Sequence, residues 1–290
     1  MNLKFQTKTL LLTVITLLAL SSFIFQQTKP TLYLIGDSTV KNGKDKGDGS
    51  LWGWGHFIGK YFDQQKINVE NHALGGTSSR TFQQKGLWDS VLVKLKKGDY
   101  VMMQFGHNDS SPLDDTARAR GTIKGTGEES KEIYNPILKK QEVVHTYGWY
   151  MRKFVNEAKA KGATAIVCSP IPRNEWKDGK VVRSVNSYGQ WAQEVAKQTG
   201  ASFIDLNSLT SDEYDRIGQA EVKNFFPGDH THTNEVLKDE LEARKITKSA
   251  FAMKIGIYPG HFGDIVKAKR NITANVALKL EAELGIAAEF

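Results

Sequence analysis

The sequence predicts an α/β fold in which a parallel sheet is covered on both faces by helices. Two observations lead there. Five short, largely apolar runs, at residues 32–35, 69–74, 99–105, 163–169 and 201–206, read as strands, and helical stretches alternate with them. That alternation builds βαβ units, whose crossovers keep neighbouring strands parallel. Three of the runs also end in glycine-rich turns carrying reactive or hydrogen-bonding side chains: Gly36-Asp37-Ser38, Gly75-Gly76-Thr77 and Gly106-His107-Asn108-Asp109. In an open parallel sheet, ligands bind beyond the carboxyl ends of the strands.

The 290 residues suffice for one large domain, or one domain with a small companion, and a 40% hydrophobic content supplies a core. The net charge of +7 suits an acidic polymer, a nucleic acid or a membrane surface. Cys168 is the single cysteine and lies in an apolar run, so it reads as a small core residue. Residues 1–29 have the make-up of an export signal. Lys4 and Lys8 precede an apolar stretch at 10–20, and Ala19-Leu20-Ser21 is a weak cleavage site. The apolar character continues through Phe23-Ile24-Phe25, which leaves an uncleaved membrane anchor as the competing reading.

The first strand ends at Ser38, whose hydroxyl either performs chemistry or caps the next segment. A polar loop at 41–50 leads to Leu51-Trp-Gly-Trp-Gly-His-Phe-Ile58, which is expected to open a helix to about Phe62. These aromatics either join the core or line a cleft for sugar rings. The second strand ends in Gly75-Gly76, where paired glycines allow a sharp turn with exposed N–H groups, suited to an oxyanion or to an ordinary strand-to-helix turn. After the third strand, Asn108 offers an amide as a second oxyanion donor. Residues 110–134 form a long polar insertion, expected as a surface excursion near the site. The spacing of Val143, Val144, Tyr147, Met151, Phe154, Val155 and Ala158 predicts one helix over 142–161, and another is expected over 185–199, ending at Gly200.

Phe225-Phe-Pro-Gly-Asp229-His230-Thr231-His232-Thr233-Asn234 places a carboxylate three residues before an imidazole. Asp229 can then hold one ring nitrogen of His232 while the other faces outward as a base. The alternatives are a metal clip of Asp229, His230 and His232, or a solvated loop. The metal reading lacks further ligands at suitable spacing.

Ser38, Gly76, Asn108 and the Asp229/His232 pair, in this order, resemble the SGNH (GDSL-type) hydrolase superfamily. The blocks Leu-Ile-Gly-Asp-Ser-Thr, Gly-Trp-Gly, Asn-His-Ala-Leu-Gly-Gly-Thr-Ser-Ser-Arg-Thr-Phe, Gln-Phe-Gly-His-Asn-Asp and Asp-His-Thr-His-Thr-Asn are most similar to the rhamnogalacturonan acetylesterase family. No Gly-x-Ser-x-Gly elbow is present, which argues against an α/β-hydrolase. The resemblance covers residues 30–234 and implies a three-layer α/β/α, flavodoxin-like domain. It implies Ser38 as nucleophile, His232 as base and Asp229 as its orienter. The Ser38 and Gly76 N–H groups and the Asn108 amide would form the oxyanion hole. It further implies deacetylation of pectic rhamnogalacturonan through an acetyl-enzyme, outside the cell, with no metal or organic cofactor.

The tail obeys a different grammar. Residues 235–244 are helical and amphipathic. Lys248, Ala252 and Gly256 then recur at four-residue intervals among Phe251, Ile255 and Ile257, before Tyr258-Pro259, Phe262, Ile265 and Val266. This is a helix-turn-helix layout, and residues 235–290 resemble lambda-repressor-like (Xre) domains, especially HigA-type antitoxins. The resemblance implies that His261, Gly263, Asp264 and Lys267 face DNA. An export signal and a DNA-binding module belong to different compartments, so the tail is read as a foreign fusion replacing the esterase's own last helix. The runner-up reading is a DNA-binding antitoxin or regulator fused to an incomplete esterase.

Overall fold

The computed structural model describes residues 29–41 and 51–234. The export-signal segment, most of the 41–50 loop and the helix-turn-helix tail, including His261, Gly263, Asp264 and Lys267, lie outside the described residues.

Five strands form one parallel sheet: β1 (Thr31–Gly36), β2 (Asn68–Asn71), β3 (Tyr100–Gln104), β6 (Thr164–Cys168) and β9 (Ser202–Ile204). Their order is β2-β1-β3-β6-β9, and every pairing is parallel. This is the flavodoxin-like order, in which the chain reverses its direction of travel between β1 and β3 and opens a crevice there. All six residues of β1 are buried, as expected of a central strand sandwiched on both faces.

Alternate side chains serve the two faces. Tyr33, Ile35, Val101, Met103, Ala165 and Val167 meet one layer of helices. That layer contains α1 (Ser79–Gln84), α2 (Leu87–Lys94), α3 (Tyr147–Ala160) and α4 (Tyr188–Thr199), which contribute Phe82, Trp88, Phe154, Val155, Ala192 and Val195. On the other face Leu32, Leu34, Met102 and Cys168 pack with Val40 and Ala73. They are flanked there by Trp54, Ile58, Phe62 and the first residue of α5 (Leu206–Ile217). Burial pushes the Cys168 thiol well up, so it behaves as a core residue. A short α6 (Gln219–Val222) follows α5, and Val222, Phe225 and Phe226 pack on Tyr214 in a satellite cluster.

Local chemistry fixes the helix ends. Ser78 and Thr81 form a reciprocal capping box for α1, with N···O distances of 3.1 and 2.9 Å. The Thr146 hydroxyl caps α3 by accepting from Trp149 N, and Asp205 caps α5 through Ser208 N.

Four sequence expectations change. The helix expected over 142–161 is a strand followed by a helix. Residues Lys140–His145 form β5, and α3 starts only after the Thr146 cap. Val144 is buried and Val143 is 47% exposed, the alternation of a strand, whereas the helical reading needed both inside. The insertion at 110–134 is also not shapeless. It ends in β4 (Ser130–Asn135), which pairs antiparallel with β5. Between Trp54 and Tyr61 the expected helix is two single 3-10 turns, Trp54–His56 and Ile58–Tyr61. Gly53 and Gly55 approach the Val40 and Lys41 backbone too closely for a Cβ at either position. The sequence predicts a turn over 171–176, and its last residue instead opens a second antiparallel pair, β7 (Trp176–Lys177) with β8 (Lys180–Val181).

Arg80 binds the insertion to the sheet domain. It is the first-turn arginine of α1, and its side chain is 0% exposed. It grips Glu142 with both ends of its fork, Nε–Oε1 at 2.8 Å and Nη2–Oε2 at 2.6 Å. Its Nη1 donates to the Leu113 and Gly121 carbonyls, each at 2.8 Å. Glu142 also accepts from Asn135 and Gln84. Burial alone would raise the Glu142 carboxyl's pKa, but these donors, Arg80 foremost, hold it below its usual value. One side chain therefore fastens α1, the first half of the insertion and β5. Arg80→Ala leaves a partly buried carboxylate without its counter-ion and two carbonyls without a donor, and is expected to cost about 3–5 kcal/mol of unfolding free energy. Urea denaturation measures this, and a loss under about 1 kcal/mol would show that the insertion needs no such anchor.

Candidate active site

Ser38 stands one turn beyond the buried β1, at the β1/β3 crevice. The capping role belongs to its neighbour. Asp37 Oδ1 accepts from Thr39 N at 2.8 Å and from Thr39 Oγ1 at 2.7 Å. The Ser38 hydroxyl instead lies 2.7 Å from Nε2 of His232.

His232 is held by its own loop. Its Nδ1 is 2.7 Å from Asp229 Oδ2, while Asp229 Oδ1 accepts from the backbone N–H of Thr231 and His232 at 2.7 and 2.8 Å. Burial alone would raise the Asp229 pKa. The bond from the His232 ring and the two N–H groups outweigh it, so the carboxyl stays ionised below its ordinary range. With Nδ1–H donating to Asp229, Nε2 carries a lone pair and accepts from Ser38 Oγ–H. The loop is tied down on both sides. Trp52 N donates to Thr233 O at 2.9 Å, and Thr233 Oγ1 returns a bond to Trp52 O at 3.2 Å. Asn174 N donates to His230 O at 2.7 Å, and Phe225 O accepts from Asn234 N at 2.7 Å.

The turn after β2 closes over Ser38. A Cβ on Gly75 would lie 3.6 Å from Ser38 Cβ, and Gly76 has φ +81°, a left-handed conformation that suits glycine. Asn108, after β3, is 8% exposed and uses Nδ2 to bond Thr77 O at 2.7 Å. That bond fixes the amide and leaves its second hydrogen available. Among the described residues, neither the Ser38 N–H nor the Gly76 N–H donates to any protein acceptor. Such an arrangement can relay a proton from a hydroxyl and offer several N–H donors to one oxygen.

A buried polar layer underlies these groups. Asp37 is inaccessible to solvent, and His107 Nδ1 lies 3.4 Å from its Oδ2. His107 Nε2 faces the Ile171 carbonyl at 3.0 Å, so that nitrogen carries a proton. Burial opposes ionisation of Asp37, but the charge and hydrogen bond of His107 and the bonds from Thr39 hold its pKa down. Asp109 behaves oppositely. Its Oδ1 accepts from Ser79 N at 3.1 Å and from Ser79 Oγ at 2.5 Å, while Oδ2 is buried without a partner. Burial, reinforced by the charge of Asp37, pushes its pKa up to about 7 against the pull of the Ser79 bonds.

The structure therefore brings together Ser38, Gly76, Asn108, Asp229 and His232, the five residues singled out in the sequence. His230 turns away to Glu175, at 3.4 Å, so the metal clip of Asp229, His230 and His232 does not assemble. Among the described residues, no group of three or more His, Cys, Asp or Glu side chains converges to hold a metal. A cleft of about 1070 Å³ lies elsewhere, along α4 and β9 between Arg183, Gln193, Lys197 and Asn207, with no residue of this cluster in its wall. No separate sequence signal marks the pairing of Asp37 with His107, the raised pKa of Asp109, or Trp52 as a clamp. All of these residues sit in or beside the same motifs, next to more reactive neighbours.

The Asp109 titration has a stability consequence. An aspartate titrates near 4 when unfolded and at about 7 here. Its contribution is intact at low pH and is lost as the pH rises from about 4 to about 7. Asp109→Asn keeps an acceptor for Ser79 and removes this titration. Melting temperatures from pH 5 to 8 are expected to move in favour of the variant as pH rises. A constant gap between the two proteins would show that Asp109 does not titrate in this range.

The comparisons with known proteins agree with this geometry. Residues 34–235 match the model of the GDSL-like lipase/acylhydrolase family. A rhamnogalacturonan acetylesterase of Emericella nidulans is 32% identical over 205 residues, covering 70% of this chain and 78% of that protein. A rhamnogalacturonan acetylesterase of Bacillus subtilis is 26% identical, covering 72% of this chain and 80% of the relative. The crystal structure of the Bacillus subtilis protein YxiM superposes with a TM-score of 0.57 at 27% identity, covering 76% of this chain and 58% of that longer one. The DNA-binding alternative draws no support from these relatives. A family match over most of the chain, on a flavodoxin-like sheet with a serine–histidine–aspartate cluster at its switch point, shows that the chain belongs to the GDSL-like lipase/acylhydrolase family and is a carboxylic ester hydrolase.

Proposed function

We propose that this esterase removes acetyl groups from rhamnogalacturonan, an acidic pectic polysaccharide, through an acetyl-enzyme intermediate. The observation that carries the chemistry is the continuous Ser38–His232–Asp229 relay, with both contacts at 2.7 Å, beside two N–H groups that have no protein acceptor among the described residues. The substrate class rests on the two acetylesterase relatives and on the net charge of +7, which suits a galacturonate-bearing polymer.

In this reading Ser38 Oγ attacks the acetyl carbonyl carbon while its proton passes to His232 Nε2. Asp229 steadies the imidazolium that forms. The carbonyl oxygen becomes an oxyanion and receives hydrogen bonds from the Ser38 and Gly76 N–H groups and from Asn108 Nδ2. The bond to the sugar oxygen breaks, His232 protonates the departing hydroxyl, and acetyl-Ser38 remains. Water then gives a proton to His232 and attacks the acyl carbon, and acetate leaves as Ser38 regains its proton. Every step is carried by groups of the chain itself.

A polysaccharide substrate implies work outside the cell, so the proposal includes export through the amino-terminal segment. Among the described residues, no helix is long and apolar enough to cross a membrane.

The substrate assignment is tested by acetate release from acetylated rhamnogalacturonan, with acetylated xylan as the neutral control. Release from the first is expected, and its absence would remove the substrate. Ser38→Ala is expected to lower turnover of 4-nitrophenyl acetate by several orders of magnitude. Unchanged turnover would take Ser38 out of the mechanism. Asn108→Ala is expected to lower kcat about a hundred- to a thousandfold. A rise in KM alone would instead place Asn108 in substrate binding.

A further inference from the structure

Arg120 comes from the insertion, far in sequence from every motif, yet it reaches the turn over Ser38. Its Nη1 donates to Gly76 O at 3.0 Å, and its Nε donates to Ser111 Oγ at 3.1 Å. Two of its five N–H donors are thus fixed, and three remain. The guanidinium is only partly buried, and among the described residues no carboxylate lies within 4 Å of it. Arginine forks match carboxylates in a bidentate fashion, as fully buried Arg80 does with Glu142, whereas Arg120 keeps its free donors without such a partner among the described residues.

The loop that delivers Arg120 is tightly built. Asp115 accepts from the N–H groups of Ala117, Arg118 and Ala119 at 3.0, 2.8 and 2.9 Å, so its carboxylate is occupied by backbone. Ala119 is 1% exposed and has φ +42°, a region that residues with a side chain rarely enter. Strain of this kind persists where surrounding structure enforces it, commonly at binding sites. It sets two arginines, Arg118 and Arg120, on either side of one alanine. Burial first, and then the charge of Arg118, push the Arg120 pKa below its usual value, while Asp115, Asp37 and Asp109 act against this. Two cations close enough to repel, one braced at the rim of an esterase site, make a receptor for an anion.

We propose that Arg120 is a specificity-determining residue that grips a carboxylate of the sugar chain next to the ester, selecting galacturonate-bearing substrates over neutral ones. The inference rests on the acetylesterase reading, since it names the group of that substrate which the site recognises. A planar guanidinium held at Nε and Nη1 is pre-oriented, so its remaining donors meet a carboxylate with little further loss of freedom. Ser111 and Gly76 set that orientation, and Arg118 adds attraction at longer range.

The test uses inhibition, so that it does not require turnover of the polymer. Hydrolysis of 4-nitrophenyl acetate is measured with digalacturonate, and with neutral galactobiose, as competing ligands. The wild type is expected to bind digalacturonate at least about tenfold more tightly, with the difference shrinking as salt rises. Arg120→Gln is expected to lose about ten- to a hundredfold in digalacturonate affinity relative to galactobiose, and Arg120→Lys less. Equal inhibition of the wild type by the two sugars would overturn the proposal. So would variants that weaken both sugars alike or change only kcat, because Arg120 would then merely brace the Gly76 turn. Acetate release from acetylated rhamnogalacturonan by the wild type is read separately. If no acetate is released while Arg120 still confers acid preference, the assigned substrate falls and the carboxylate recognition stands.

Discussion

The parallel pairing of β1 with β3, carried to the last residue of each strand, is the constraint on which the site depends. Gly36 is opposite Gln104 in that register. A Cβ on Gly36 would sit 2.4 Å from Val40 Cγ2 and 2.6 Å from the Gln104 carbonyl oxygen. The absent side chain lets the strands end level, so that Ser38 and Asn108 emerge side by side within a few residues. Gln104 then joins three neighbouring segments. Wholly buried, it donates to Thr39 Oγ1 at 2.6 Å and accepts from Trp54 Nε1 at 3.0 Å and Ile171 N at 3.3 Å. The Ser38 turn, the Gly-Trp-Gly segment and the turn after β6 share this one amide, whose buried polar atoms are matched on both its donor and its acceptor side.

The central strands β1, β3 and β6 were legible in the sequence because they are buried on both faces and leave apolar runs. The site was legible for a related reason. Turns at strand ends need glycine, and short polar side chains beside glycine stand out. The elements missed were those whose signals are local and weak. Helix α1 spans only Ser79–Gln84 and announces itself through the Ser78/Thr81 box, which the Ser-Ser-Arg motif obscured. Helix α5 begins directly after β9 at an Asp205 cap and carries few large apolar residues. The β5–α3 boundary was lost because Val143 and Val144 satisfy a helical repeat as readily as a strand, and only pairing with β4 decides between them. Arg120 carried no signal at all. Its position depends on the backbone of Ala119 and on the fold of the whole insertion, neither of which is written in a residue pattern.

The charge arrangement under the site follows from the same geometry. Two carboxylates, Asp37 and Asp109, lie buried beneath groups proposed to receive a developing oxyanion. Two full negative charges there would oppose the reaction they underlie, because a low-dielectric interior screens them poorly. The protein treats them unequally. Asp37 is paired with His107 and capped by Thr39, so its charge is met at once. Asp109 has both Ser79 donors on one oxygen, and burial together with the charge of Asp37 raises its pKa to about 7. One acid is thus held ionised by its partners and the other has a raised pKa. At the rim the balance is reversed, with Arg118 exposed and Arg120 half-buried against the Gly76 turn. Negative charge is neutralised or compensated below the reacting oxygen, and positive charge is displayed where an acidic polymer would approach. Both features depend on the insertion: Arg120 lies within it, and Asp109, bonded to Thr122 through its carbonyl, is closed over by it. The anchoring of that insertion by Arg80 is therefore as much a condition for the electrostatics of the site as for the stability of the fold.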